Sequence, residues 1–320
     1  MTYSYFPILK ALAAEFVALE HTSNSVANSI LPLFEIPKLP NRKALQKSAT
    51  PVLDFLNSTV DELNQIWHGR TAMLDIFHWN PSSSAENGEH ILSYLHNSLV
   101  ARGINTIPVV GYDRWDQVEY QIALSNIIKN GTDKTCIRLE SNALGDAAEP
   151  EFFIDNVSEI IDTFGINPTT CHVILDFEDI TMPNIPELID DFDMIFQLLK
   201  PFNFRSYSIA GCSLPKTIDK AVSKTNSVGT VLRKEMLLWK NAREQYEDSN
   251  IYFGDYGVRG PNSAEGIPNP NTNGKIRYTK DNEFFIARGH SMKVAPKGMQ
   301  HCLLADKVIN SPYYTGPNFS

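Results

Sequence analysis

The sequence has few cysteines, no long apolar segment and no signal for export. Its four cysteines, Cys136, Cys171, Cys212 and Cys302, are widely spaced, without a C-x-x-C pair or a histidine at zinc-finger spacing. This spacing argues against a disulfide framework and a structural zinc site. No run reaches the roughly 18 apolar residues of a spanning helix, and the N-terminal residues lack the features of a signal peptide. We therefore expect a soluble, cytoplasmic protein that contacts no membrane.

Basic residues are also scarce relative to acidic ones. The chain has 28 Lys and Arg against 37 Asp and Glu, which gives a formal net charge of −9 in 320 residues. This balance lacks the basic surface on which nucleic-acid binders depend, so nucleic acid is not indicated as a partner. Neither a G-x-G-x-x-G nor a G-x-x-x-x-G-K-[ST] loop is present, which argues against a nucleotide cofactor.

Short apolar runs of strand length alternate along the chain with longer segments of helical periodicity. Strands are predicted at residues 5–9, 30–34, 71–74, 106–110, 135–139, 172–175, 206–210 and 250–254. Helices are predicted at 13–29, 51–68, 85–103, 115–131, 150–165, 185–200, 213–228 and 231–248. Apolar strands separated by helices indicate a parallel sheet, and eight such units close a barrel. The predicted fold is therefore an α/β (β/α)8 TIM-like barrel, with an open doubly wound sheet as the alternative.

The character of the sequence changes after Asp255. Residues 258–273 are rich in Gly, Pro and Asn, which is typical of an irregular loop. Two β-like runs at 275–279 and 283–289 predict a hairpin, and a helical pattern follows at 299–309. We divide the chain into a barrel, residues 1–258, and a small appendage of loop, hairpin and helix, residues 259–320. The chain ends without a closing element, which suggests a truncated C-terminus.

Charged and phenolic side chains follow almost every predicted strand. In barrels of this kind, functional groups lie in the loops after the carboxyl ends of the strands. Because residues two apart in a strand face the same side, Asp176 and Glu178 are expected to point in one direction. Lys10 and Arg138 are the natural partners of the acids at these strand ends, since buried charges need compensation.

Two interpretations of these groups remain open. In the first, they form a salt-bridged plug at the barrel mouth or an external helix-cap network. In the second, they form a site, because clustered acids raise each other's pKa and one can hold a proton. The candidate catalytic acids are Glu35, Asp75, Asp176 and Glu178, and the binding candidates are Lys10 and Arg138 for an anion and Tyr112 for stacking. The acids could instead hold a divalent metal through their oxygens, so the cofactor stays open. His78, near Asp75, is more typical of a hydrogen-bonded loop residue than of an acid or base.

Four short segments resemble the bacterial and phage beta protein family. They are YFPILKALAAEFVAL at 5–19, LPLFEI at 31–36, FGDYGVR at 253–259 and IRYTKDNEFFIARG at 276–289. The resemblance implies a barrel-like domain from phage-related bacterial systems. It also makes Lys10, Glu35, Asp255 and Arg259 motif positions, which adds Asp255 and Arg259 to the binding candidates. It implies no known reaction, and a role in phage–host conflict is inferred from the family context alone.

The sequence therefore supports two functions. One is a hydrolase, such as a phosphodiesterase, that acts at the barrel mouth on a polar anionic small molecule or phosphoester. The other is a non-catalytic module of a phage-defence or prophage system, which binds a ligand or a partner protein. An enzyme should bring several strand-end side chains within ~3 Å of one common point, whereas a module can leave them in separate salt bridges.

Overall fold

Eight parallel strands form the closed barrel that the sequence predicts. They are β1 (Tyr5–Lys10), β2 (Leu33–Glu35), β3 (Thr71–Asp75), β4 (Asn105–Gly111), β5 (Thr135–Leu139), β6 (Cys171–Asp179), β7 (Ser206–Cys212) and, after an inserted strand, β9 (Ile251–Asp255). Pairing of β9 with β1 completes the ring, so the open-sheet alternative is wrong. The computed structural model describes residues 3–130, 132–261, 272–295 and 297–316.

The structure describes twelve α-helices, most of which cover the outside of the barrel. They are α1 (Ala13–Glu20), α2 (Asn24–Ala27), α3 (Lys43–Gln46), α4 (Pro51–Trp67), α5 (Ile91–Ala101), α6 (Val118–Lys129), α7 (Ser141–Asp146), α8 (Pro150–Phe164), α9 (Ile185–Leu199), α10 (Ile218–Ala221), α11 (Lys234–Gln245) and α12 (Lys297–Ile309). Their boundaries follow local signals. Pro150 begins α8, and Gly165 ends it with a φ of 61°, in the left-handed region that favours glycine. Within the described ranges, none of the helices is both long and apolar enough to cross a bilayer.

The apolar core has one layer outside the strands and one layer inside them. The outer layer lies between the barrel and its helices and includes Trp67, Phe153 and Phe196. The inner layer fills the barrel and includes Phe6, Met73 and other side chains that alternate with the outer ones along each strand. The barrel is therefore a packed core and not an open channel.

The segment between β7 and β9 differs from the prediction. The helix expected at 213–228 is reduced to the four residues of α10, and a strand, β8 (Ser227–Leu232), follows it. Val228, Thr230 and Val231 are β-branched, and such residues fit a pleated strand better than a helix. β8 pairs antiparallel with β11 (Glu283–Ser291), which in turn pairs with β10 (Asn273–Lys280). The hairpin predicted from the sequence is thus confirmed, but a strand from the barrel segment joins it.

This three-stranded sheet, with the order β10-β11-β8, packs between the barrel and α12. Phe284 and Ile286 of β11 belong to the inner apolar layer, together with Tyr256 from the barrel mouth. The alternate residue Phe285 belongs to a separate cluster with Leu304 of α12. The sheet therefore connects the mouth to the C-terminal helix, which is found where the sequence predicts it. Most of the loop predicted at 258–273 lies outside the described residues.

Candidate functional site

Arg138, at the end of β5, lies at the centre of a buried charged cluster inside the barrel mouth. Its Nη2 atom is 2.8 Å from Glu35 Oε1 and 2.6 Å from Asp176 Oδ2. Its Nη1 atom donates to Asp75 Oδ2 at 2.8 Å, and its Nε atom donates to Asp176 Oδ2 at 2.9 Å. The Tyr256 hydroxyl accepts from Nη2 at 3.0 Å and donates to Asp176 Oδ2 at 2.6 Å. Three of the predicted acids, Glu35, Asp75 and Asp176, thus converge on one guanidinium.

The parallel register of the first three strands explains part of this convergence. Lys10, Glu35 and Asp75 are the paired residues at the ends of β1, β2 and β3. Side chains at paired positions of neighbouring parallel strands point to the same face of the sheet. All three are buried, so they form one row at the level of the Arg138 cluster.

The three carboxylates of the cluster use both of their oxygens. The second oxygen of Glu35 lies 3.1 Å from His78 Nε2. The second oxygen of Asp75 accepts from Arg114 Nη2 at 2.5 Å, and that of Asp176 accepts from the Glu178 amide at 3.0 Å. Burial alone would raise the pKa of Glu35, but Arg138 and His78 outweigh it and lower the pKa to about 2. Glu35 is therefore ionised at neutral pH. Because every carboxylate oxygen is already bonded to the protein, this part of the mouth fits the salt-bridged plug.

A second buried arginine, Arg114, extends the network away from Arg138. Its Nη2 atom is bonded to Asp75, and its Nη1 atom is 3.2 Å from Glu140 Oε1 and in direct contact with Asp113. The guanidinium of Arg114 lies where a Cβ atom on Gly111 would be, so only glycine at position 111 permits this approach. The network therefore depends on the sequence of the loop after β4 as well as on the strands.

Glu140 differs from the other acids of the network because it is incompletely bonded. It is buried, and its Oε2 atom has no hydrogen-bond partner among the described residues. Burial raises the pKa of Glu140 to about 8, an effect that Arg114 opposes and Asp113 reinforces. A carboxyl group with this pKa keeps its proton at neutral pH. Glu140 is therefore the group at the mouth best suited to donate a proton.

A polar cleft of about 470 Å³ opens near the carboxyl ends of β4 and β5, and Glu140 directly precedes one of its lining residues, Ser141, in the sequence. Its lining residues come from the loops after β4 and β5: Tyr112, Asp113, Ser141, Asn142, Gly145 and Asp146. The Tyr112 hydroxyl donates to Asp146 Oδ2 at 3.1 Å, and burial raises the pKa of Tyr112 to about 12. Asp113 shares Arg114 Nη1 with Glu140, and Ser141 follows Glu140 directly. The cleft and the protonated carboxyl group thus lie at the ends of the same two strands.

Glu178 touches the Arg138 cluster only through its backbone amide, which donates to Asp176, and its carboxylate is bonded to the loop after β5. The register of β6 shifts between Asp176 and Asp179, and Glu178 has a φ of 53°, so the simple alternation of a strand ends here. The Glu178 carboxylate accepts hydrogen bonds from the amide of Ser141 at 3.3 Å and from its hydroxyl at 3.0 Å. The expectation that Asp176 and Glu178 share one side therefore fails, because a bulge separates them.

Asp255 and Arg259 lie away from the cluster. Asp255 accepts from Arg233 Nη2 at 3.1 Å and contacts the Tyr5 hydroxyl, on the outer side of the barrel wall. Tyr256, the next residue, points inward instead. Arg259 is 3.2 Å from Glu15 and lines an apolar groove of about 360 Å³ between α1 and the end of β9. Of the predicted binding residues, Lys10 and Arg138 lie at the mouth, Tyr112 lines the adjacent cleft, and Asp255 and Arg259 serve other contacts.

No metal centre is formed by the described residues. Among them, no three His, Cys, Asp or Glu side chains are arranged as ligands for one ion. The acids proposed from the sequence as metal ligands surround the Arg138 guanidinium, which occupies the point on which they converge. The cation of this cluster is thus a side chain of the protein itself.

Three residues of the network are not among the site residues predicted from the sequence. Arg114, Glu140 and Tyr256 all follow predicted strands, so their position was an available signal. Their contacts depend on loop geometry, however, and strand alternation gives no information about a side chain that lies beyond the last paired residue.

Comparison with known proteins and protein families places the chain in a family. A search among curated proteins finds no relative of this chain. A family model described as Beta protein matches residues 5–320, which is nearly the whole chain and includes both the barrel and the three-stranded sheet. The resemblance of the four segments is thereby confirmed, and the chain belongs to the beta protein family.

Proposed function

We propose that this chain is a hydrolase that uses general acid catalysis at the carboxyl ends of β4 and β5. Glu140 donates its proton to the leaving oxygen of the substrate while Asp113 accepts a proton from the attacking water. The observation that supports this proposal is a buried Glu140 with a pKa of about 8 and an unpaired oxygen, directly before Ser141, which lines an open polar cleft. Asp113 is partly exposed and lines that cleft, as a group that meets water must.

The charged residues around the cleft indicate what kind of substrate it can bind. Asp113 and Asp146 line it, while Arg114 and Arg138 are bonded to the protein's own carboxylates. These contacts favour a polar, uncharged, hydroxyl-bearing substrate such as a glycoside over the anionic substrate or phosphoester expected from the sequence. Asn142, Ser141 and Tyr112 supply donors and acceptors for hydroxyl groups.

Paired substrates that differ in leaving group test the role of Glu140. 4-Nitrophenyl and phenyl glycosides of common hexoses are compared in the wild type and in Glu140→Gln, with bis(4-nitrophenyl) phosphate as the anionic substrate. Removal of a general acid should lower kcat for the phenyl glycoside by about 10²–10⁴-fold. The loss in kcat should be much smaller for the 4-nitrophenyl glycoside, because 4-nitrophenolate leaves without needing a proton.

The exposed Glu119→Gln on α6 is the matched control and should behave like the wild type. Equal losses on both leaving groups, or no glycoside hydrolysis by the wild type, would reject this mechanism. Hydrolysis of bis(4-nitrophenyl) phosphate, but of neither glycoside, would indicate that the substrate is anionic.

A second function, ligand or partner recognition without catalysis, is favoured by the complete bonding of the Arg138 cluster. Every oxygen of Glu35, Asp75 and Asp176 is paired within the protein, which is expected of a rigid scaffold. In the Glu140→Gln variant, a recognition module would still bind its ligand or partner, whereas a hydrolase would lose its turnover of glycosides.

We also propose, on the family context alone, that the protein acts in phage–host conflict as a defence component or a prophage product. Expression in a bacterial host should reduce phage plating, and Glu140→Gln should restore it if hydrolysis is the effector step. Plating that is unchanged across a broad panel of phages would argue against the role.

A further inference from the structure

A polar cavity of about 380 Å³ opens at the end of the barrel opposite the mouth. It lies at the amino ends of β1, β6, β7 and β9, and its volume is within the range of small-molecule sites. Its lining includes Phe6, His172, Arg205, Ser206 and Tyr252, and none of its lining residues is acidic. The proposed hydrolytic site lies at the other end and uses none of these residues.

One buried polar side chain in this cavity has an unused hydrogen-bonding atom. His172 is 4% exposed, and its Nδ1 atom is 2.6 Å from Ser206 Oγ. That contact occupies Nδ1, so Nε2 is the ring nitrogen left to bond a molecule in the cavity. Burial, with Arg205 and Lys134 nearby, lowers the pKa of His172 to about 4, so the ring is neutral at pH 7.

The cavity combines positive charge with aromatic surface. Among the described residues, none forms an ion pair or hydrogen bond with the guanidinium of Arg205, which is exposed at the rim. Phe6 and Tyr252 stack at 5.1 Å between ring centroids, and Phe6 lies 5.6 Å from the His172 ring. An unpaired cation attracts an anion, and an aromatic wall favours a flat ring.

We propose that this cavity binds a small aromatic carboxylate, with its ring against the wall of Phe6 and Tyr252 and its carboxylate at Arg205. His172 Nε2 supplies a hydrogen bond within the cavity. The site is a binding site at the amino end of the barrel, distinct from the mouth, and it does not depend on the proposed hydrolase activity.

Three probes of similar chemistry separate the contributions of charge and ring. Benzoate has both, benzamide has the ring without the charge, and acetate has the charge without the ring. Binding is followed by NMR through the ring resonances of His172 in the full chain. Benzoate should shift these resonances saturably and bind at least about tenfold more tightly than either other probe. Benzamide lacks the charge-assisted hydrogen bond to Arg205, and acetate lacks the aromatic surface that packs against Phe6 and Tyr252.

Arg205→Gln should weaken the binding of benzoate by a similar factor. Because Arg205 is exposed, this substitution should leave the fold intact. Lys216→Gln, an exposed cation near the opposite end of the barrel, is the matched control and should bind benzoate like the wild type. The proposal is overturned if benzoate leaves the His172 resonances unchanged, if benzamide or acetate binds equally well, or if Arg205→Gln binds like Lys216→Gln.

Discussion

Arg138 neutralises carboxylates from three different strands within the barrel. Such a side chain is expected to be important for stability chiefly because its removal would leave buried charges without a partner. The sequence predicted this pairing correctly, since an arginine and several acids at strand ends of one barrel have to meet. It could not predict Arg114 and Glu140 as partners, because their contact requires the close approach of Arg114 to Gly111 in a loop.

Replacement of Arg138 by Met tests the cluster directly. Removing one partner of a buried ion pair costs about 3–5 kcal/mol, so Arg138→Met should lower the free energy of unfolding by about this amount. Arg102→Met is the control, because Arg102 forms a half-exposed pair with Asp61 whose loss should cost less than about 1 kcal/mol. Urea denaturation measures both. Equal effects of the two substitutions would show that the cluster contributes no more than a surface pair.

The raised pKa of Glu140 predicts a pH dependence of stability. The folded chain keeps the Glu140 proton between pH 4.5 and about 8, whereas the unfolded chain loses it near 4.5. Unfolding therefore releases a proton in this window, and this group lowers stability as the pH rises through it. Relative to Glu140→Gln, the wild type should lose about 1.4 kcal/mol per pH unit.

Denaturation of both proteins at several pH values between 5 and 8 measures this difference. A constant difference in stability between the two proteins across the window would show that Glu140 is ionised in the folded state.

Among the secondary-structure elements, the strands of the barrel were predictable from the sequence, whereas strand β8, between β7 and β9, was not. Continuous apolar runs bounded by turn residues define a buried parallel strand whatever surrounds it. β8 is an edge strand with alternating exposure, and its partner β11 is about 50 residues further along the chain, so local periodicity alone did not reveal it. The bulge after Asp176 likewise depends on how β6 meets β7, which a single strand does not encode.

The two faces of β11 predict two different local effects. Phe284→Ala should loosen the barrel mouth, because Phe284 lies in the inner apolar layer and 5.2 Å from the Arg233 guanidinium. Phe285→Ala should instead loosen α12, since Phe285 packs against Tyr313 and the Leu304 cluster. Hydrogen exchange distinguishes them: amides at the ends of β7 and β9 should exchange faster only in the first variant, and α12 amides faster only in the second. The same exchange pattern in both variants would contradict this assignment.

At the scale of the whole molecule, the three-stranded sheet joins the chain's two predicted parts. β8 comes from within residues 1–258, whereas β10 and β11 come from 259–320, and β11 contributes to the apolar layer inside the barrel. We therefore expect the barrel and the sheet to unfold in one cooperative transition. Differential scanning calorimetry should give a single peak with matching calorimetric and van't Hoff enthalpies, and two separated peaks would indicate independent units.

The proposed chemistry depends most directly on a proton that Glu140 holds at the barrel mouth at neutral pH. Infrared spectroscopy of the wild type, with Glu140→Gln as the reference, reports that proton through the carbonyl stretch of the neutral carboxyl group. We expect a Glu140 band that is present at pH 7 and disappears with a midpoint near pH 8. A spectrum at pH 7 that shows only the carboxylate form of Glu140 would contradict it.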